Sequence, residues 1–143
     1  MTRNQTVGLN VLRYGLAAMF LWFGFSQLID SANWVSWVPE WASTVLHIPP
    51  AFIVLLNGAF EVIAGFLLAA GILVRPVAVL LALHLALITV EIGATAIGVR
   101  DFGLTCATVT LAFLFEKRDR LASSEEEPDR GAPLRIASCA RIG

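Results

Sequence analysis

Four apolar stretches, residues 7–29, 51–70, 76–98 and 102–115, take up most of this 143-residue chain and constrain its fold more than any other feature. A hydrocarbon layer is roughly 30 Å thick and a helix rises about 1.5 Å per residue, so about 20 apolar residues cross it. The first three stretches qualify. The fourth, about 14 residues, covers only about 21 Å and needs local thinning or an extension back into residues 98–101. Lipid offers no partner for backbone N–H and C=O groups, which leaves helices for segments of this length. The expected fold is therefore all-α: a polytopic membrane protein built as a four-transmembrane-helix bundle. The first segment is expected to be retained, because its uncharged run outlasts a usual signal h-region of about 7–15 residues and no A-x-A site closes it.

Composition agrees, with 57% hydrophobic residues and a mean hydropathy of +0.76. The net charge is −1 and no basic run occurs outside the C-terminal tail, so there is no electrostatic footprint for nucleic acid. Cys106 and Cys139 lie far apart without a CxxC, which argues against a disulfide framework or a thioredoxin-type redox pair. Cys106 falls roughly opposite the polar stripe of the fourth segment and is expected to face lipid.

Orientation is read from Lys and Arg in the short flanks. Residues 30–50 carry none, whereas Arg3, Arg75, Lys117, Arg118 and Arg120 mark the other side. N- and C-termini are thus expected to be cytoplasmic, with Arg100 the one dissenting charge. Trp34, Trp37 and Trp41 follow i, i+3, i+7 spacing in the connection between the first two segments, with Pro39 bending it and Pro49 and Pro50 ending it. Indoles prefer the headgroup level, so these three are interfacial anchors or, alternatively, a lid over an opening between the helices. Beyond residue 116 the chain turns charged and Ser- and Pro-containing. The expected organisation is a transmembrane domain over 1–116 and a charged, disordered cytoplasmic tail over 117–143.

At 3.6 residues per turn the polar residues of the four segments fall into stripes. Asn10, Arg13, Ala17, Phe20, Gly24 and Gln27 share one face of the first; Asn57 and Glu61 are an i, i+4 pair on the second, beside Gly58, Gly65 and Ala69. His84, Ile88, Glu91, Thr95 and Gly98 align on the third, and Asp101, Thr105, Thr108 and Ala112 on the fourth. Such faces suit a neighbouring helix better than lipid, since small residues permit close approach and polar groups bond across the seam. A charge at the bilayer centre costs about 2.5–3.5 kcal/mol on insertion scales, so Glu61 requires partners or neutralisation. Counting rise from the segment ends places Arg13 about 9 Å deep, His84 about 12 Å and Glu61 about 15 Å, with Glu91 and Asn57 near 21–23 Å. Arg13 is then the first-choice partner of Glu61, His84 is within reach of both, Glu91 sits opposite Asn57, and Arg100 and Asp101 pair at the outer rim. The polar-core candidates are Arg13, Asn57, Glu61, His84, Glu91 and Asp101. The cluster reads either as a buried ion pair fixing helix register or as a site for protons, a quinone-like headgroup or a small polar ligand. No metal site is expected: His47 and His84 fall on opposite sides of the midplane, and His84 and Glu91 lack Glu-x-x-His spacing.

The run "LRYGLAAMFLWFGFSQL", then "WVPEW", then "NGAFEVIAGFLLAAGILVRP" with its Gly-x-x-Glu-x-x-x-Gly, and a short fourth helix opening with Asp101, resemble the DoxX family of small four-helix bacterial membrane proteins. The resemblance spans residues 7–116. It implies a bacterial inner (cytoplasmic) membrane, a redox-associated setting linked to quinone, and Arg13, Glu61 and Asp101 as recurring polar positions; His84 and Glu91 rest on the physical reading alone. The leading expectation is an accessory subunit or scaffold of a quinone-linked redox assembly, partnered by a soluble or membrane oxidoreductase and not catalytic as a single chain. Should it be an enzyme, it would be a quinone-linked oxidoreductase subunit. The alternatives are a small-solute or proton carrier using buried carboxylates, and an assembly or chaperone-like membrane protein.

Overall fold

The structure, a computed structural model, describes residues 2–125. The elements are α1 (Arg3–Ile29), a 3₁₀ helix (Ser31–Trp37), α2 (Glu40–Leu46), α3 (Pro50–Ala70), α4 (Val74–Ile92) and α5 (Ala96–Glu125). Four helices are long and apolar enough to cross a membrane: α1, α3, α4 and the Ala96–Lys117 part of α5. Four crossings bring the two ends of this bundle back to one side.

Local chemistry explains the boundaries. Thr2 opens α1 with a capping box, its hydroxyl accepting from the Gln5 N–H while the Gln5 side chain accepts from the Thr2 N–H at 3.0 Å. Pro50 stands in the first turn of α3, where its missing N–H costs nothing. Gly71 ends α3 at φ 76°, and the Ile72 N–H reaches back to the Leu67 carbonyl at 3.0 Å.

The apolar run predicts a third segment reaching residue 98, but α4 stops at Ile92. Gly93 adopts φ 68° and ψ −158°, a region open essentially to glycine alone. Thr95 then caps the next helix, its hydroxyl accepting from the Gly98 N–H at 3.1 Å. A Cβ on Gly98 would collide with the Gly93 carbonyl oxygen, so the turn needs a glycine there. Thr95 and Gly98 therefore belong to the start of the last helix rather than to the third stripe. That early start supplies the length the fourth segment lacked. The same helix continues to Glu125, so the boundary expected at residues 116–117 falls inside it. The remainder of the expected tail, residues 126–143 with Cys139, lies outside the described residues.

The four spanning helices form a square. Antiparallel α1 and α3 pack against each other, as do α4 and α5; α3 touches α4 and α1 touches α5, while among the described residues α3 and α5 make no close backbone approach and lie diagonally opposed. Glycine sets the first of these crossings: a Cβ built on Gly24 would lie 2.8 Å from the Gly58 carbonyl oxygen, and one on Gly58 would lie 2.8 Å from that of Gly24. At the opposite end Arg75 pairs with Glu116 at 3.4 Å, tying the start of α4 to α5.

Outward faces carry large apolar side chains, with Trp22 72%, Ile63 62% and Phe113 66% exposed, the pattern of a surface that meets acyl chains. The interior divides along its length. Toward the chain termini Leu16, Phe20, Leu68, Leu81, Leu111 and Phe115 pack into a dry core. Toward the Trp-rich connection the helices separate around a cavity of about 490 Å³.

Candidate functional site

Glu61 sits near the middle of α3, where the dry core gives way to the cavity, and is 4% exposed. Its carboxyl group has three hydrogen-bond partners. Gln27 of α1 donates from Nε2 to Oε2 at 3.1 Å, Asn57 donates from Nδ2 to Oε1 at 3.2 Å, and His84 of α4 brings Nε2 to Oε1 at 3.3 Å. Asn57 also donates to the Gln27 side-chain oxygen at 2.8 Å, so Gln27, Asn57 and Glu61 close a ring of hydrogen bonds across the crossing of α1 and α3. The i, i+4 spacing of Asn57 and Glu61 makes this possible, and the Gly24–Gly58 contact brings Gln27 close enough to join. The His84 ring rests edge-on against Phe60, with centroids 5.1 Å apart.

Arg13 is not part of this cluster, contrary to the sequence expectation. Its guanidinium lies against Gly71 at the C-terminal cap of α3 and over the Tyr14 ring at 4.4 Å. Gly71 is ten residues beyond Glu61, or about 15 Å along the helix. The depth count fails because Arg13, ten residues into α1, lies level with the turn between α3 and α4, so the first apolar residue of α1 does not mark a common level. A cation at a helix C-terminus complements the macrodipole, and that is the position Arg13 holds.

Glu91 also departs from expectation. It is exposed near the end of α4, away from bonding contact with Asn57, and accepts from the Trp41 indole N–H at 3.3 Å. Both groups line the cavity, so this bond links α2 to α4 at its opening. Asp101 is 5% exposed and pairs with the Arg100 Nε at 2.8 Å, as expected, but the pair belongs to the cavity wall rather than the rim. Arg100 reaches inward over the Phe23 ring at 5.2 Å. Thr105 and Thr108 turn their hydroxyls back onto the Asp101 and Leu104 carbonyls at 2.8 Å and make no interhelical bond.

The connection above the cavity is bent in two, as Pro39 dictates: Trp34 and Trp37 lie on the 3₁₀ helix and Trp41 on α2. Trp34 packs edge-on against Phe23 at 5.8 Å and donates to the Ser26 hydroxyl at 3.2 Å; Trp37 and Trp41 are exposed while still lining the cavity. This segment covers the cavity as well as presenting indoles outward. His47 takes a left-handed conformation at the end of α2, and Cys106 faces outward from α5.

Two residues of the site do not stand out in the sequence as candidates. Gln27 falls on the correct face of the first helix but is neutral, so a search for charge misses it. Arg100 reads only as the partner of Asp101. The chemistry assembled here is a carboxyl held by two amides at the base of an otherwise mainly apolar cavity, with the His84 imidazole bonded to it from α4. A volume of this size falls in the range of small-molecule pockets, about 300–1,000 Å³.

Comparison with models of known families gives a match to DoxX over residues 8–97. The matched region takes in Arg13, Gln27, Asn57, Glu61, His84 and Glu91 and stops before Arg100 and Asp101. No curated protein and no solved structure matches.

Proposed function

The chain belongs to the DoxX family of small multi-span membrane proteins, and from that premise we propose that it is the membrane-embedded accessory subunit of a quinone-linked redox assembly. In this reading it holds a quinone headgroup in the cavity above Glu61, sits in a bacterial inner membrane and keeps both termini in the cytoplasm. One observation carries the proposal: a mid-span carboxyl, satisfied by Gln27, Asn57 and His84, opens onto a cavity that is mostly apolar.

The fit is chemical. A lipophilic ring needs apolar walls, and Phe20, Phe23, Val54 and Leu104 are among those lining the cavity. Its oxygens need groups able both to accept and to donate, which a carboxyl flanked by the Gln27 and Asn57 amides provides. When bound, a quinone supplies two-electron, two-proton redox chemistry, with the electrons exchanged at a redox centre of the partner oxidoreductase. The Glu61 carboxylate would accept a proton from a ring hydroxyl, and His84 Nε2, 3.3 Å from Oε1, would receive it in the tautomer that carries its own proton on Nδ1. Gln27 and Asn57 keep the carboxyl aimed at both groups.

The test is a pull-down in gentle detergent followed by mass spectrometry of proteins and lipophilic small molecules. Wild type carries a quinone and co-purifies an oxidoreductase; Glu61→Gln keeps the oxidoreductase and loses the quinone. A wild-type protein that carries neither, with Glu61→Gln altering only stability, contradicts the proposal.

A further inference from the structure

Arg100 has more hydrogen-bonding capacity than its partners use. Its Nε is spent on Asp101 at 2.8 Å, yet among the described residues nothing accepts from either terminal amino group. The guanidinium is half-exposed and lies over the Phe23 ring inside the cavity. A planar cation has five N–H donors, and one anchored through Nε presents the remaining edge as a ready-made fork for an acceptor oxygen.

The position of that fork is informative. Arg100 is carried by α5 and Glu61 by α3, the two helices that lie diagonally opposed with the cavity between them. Both polar groups are fixed against adjacent turns of α1: Arg100 against Phe23, and Glu61 against Gln27. Those turns differ by four residues, about 6 Å of rise. The cavity thus has a cationic donor pole on one wall and a carboxyl–amide pole, Glu61 with Gln27 and Asn57, on another, about one turn of α1 apart, with aromatic and aliphatic side chains between.

We infer that Arg100 is a specificity-determining residue, whose terminal amino groups hold one oxygen of a ring oxygenated at both ends while the second oxygen faces Glu61. This rests on the quinone-site reading and narrows it to ligands with two opposed ring oxygens. Asp101 acts through Arg100, holding its Nε so that the fork points across the cavity.

The experiment is titration of the full chain in lipid nanodiscs with menadione, which has two ring carbonyls, and with 1-tetralone, which has one. Binding is read by quenching of the cavity tryptophans for menadione, and by competition against it for 1-tetralone; empty nanodiscs correct for partitioning. Loss of a charge-assisted bond weakens binding on the order of tenfold or more, and that is the expected effect of Arg100→Gln on menadione. Arg100→Gln leaves Asp101 buried without its partner, so the Arg100→Gln/Asp101→Asn double variant is measured beside it, with the same expected loss. Wild type should bind 1-tetralone at least about tenfold more weakly than menadione. Unchanged menadione affinity in both Arg100 variants while Glu61→Gln loses binding overturns the role of Arg100 and leaves the site reading intact. Equal affinity for the two probes overturns the two-oxygen requirement. Failure of wild type to bind menadione overturns both.

Discussion

Gln27 on α1 and Glu61 on α3 meet at 3.1 Å across the crossing of two membrane-spanning helices. Because Asn57 bonds to both, the carboxyl is held by a closed ring rather than by a single partner. The arrangement answers how so apolar a chain tolerates an acid at mid-span: two amides supply the donors that lipid cannot, and an imidazole lies within bonding distance. It also gives Gln27 a defined role. Gln27→Leu strips one bond from the acid and the acceptor from Asn57, and should lower stability by about 1–2 kcal/mol, read as a lower unfolding midpoint in detergent. An unchanged midpoint would show that the ring does not form.

Close approach of Gly24 and Gly58 is what makes the ring reachable, so added bulk there should act on both stability and ligand binding. Gly24→Ala places a methyl 2.8 Å from the Gly58 carbonyl oxygen and should cost about 1–3 kcal/mol through forced separation of the helices. A methyl added at Gly15, on the same helix, would meet nothing within 4 Å. Gly15→Ala should be neutral or stabilising by up to about 1 kcal/mol. Thermal unfolding of the two variants side by side checks the crossing; equal losses would contradict it.

Arg13 provides a test of helix register. It lies at the C-terminal cap of α3, about 15 Å from Glu61 along that helix, so Arg13→Gln should cost only about 0.3–1 kcal/mol and leave quinone binding unchanged. An Arg13→Gln protein with the binding defect of Glu61→Gln would reinstate a guanidinium–carboxyl pair and contradict this register.

These residues also mark what the sequence can convey. The four spans, the inward stripes of the first, second and fourth and the break at Pro39 follow from period and composition, which are local properties; the third stripe does not hold, because α4 buries Val77, Ala78, Leu81 and Leu85 while Glu91 is exposed. The partner of Arg13 does not, because relative depth depends on which small residues of two helices meet, and Gly24 has no local mark that selects Gly58. The end of α4 does have a local signature, a glycine followed two residues later by a threonine, which is a stop and a cap; the apolar run through residue 98 outweighs it. Gln27 escapes a search that takes charge as the criterion for a site, although a neutral amide can hold a buried acid without adding a second charge. In the sequence Asp101 accounts for Arg100, and only the structure shows the guanidinium in a cavity with nothing accepting from its terminal amino groups among the described residues.

Cys106 tests the outward face of α5. It is exposed, one helical turn and a little more from the buried Asp101, within the span Ala96–Lys117. In a Cys139→Ser background it should react with an apolar maleimide in bilayers and resist a membrane-impermeant charged one. Rapid labelling by the charged reagent in sealed vesicles would place this face in water and contradict the bundle.

The most direct measurement of the central claim, that Glu61 and His84 exchange a proton with a ligand in the cavity, is an infrared difference spectrum. Wild type and Glu61→Gln, in nanodiscs with menadione, are each compared before and after chemical reduction of the quinone. The account predicts a carboxyl carbonyl-stretch change in wild type that is absent from Glu61→Gln, accompanied by imidazole bands lost in His84→Ala. Identical carboxyl regions in wild type and Glu61→Gln would contradict it.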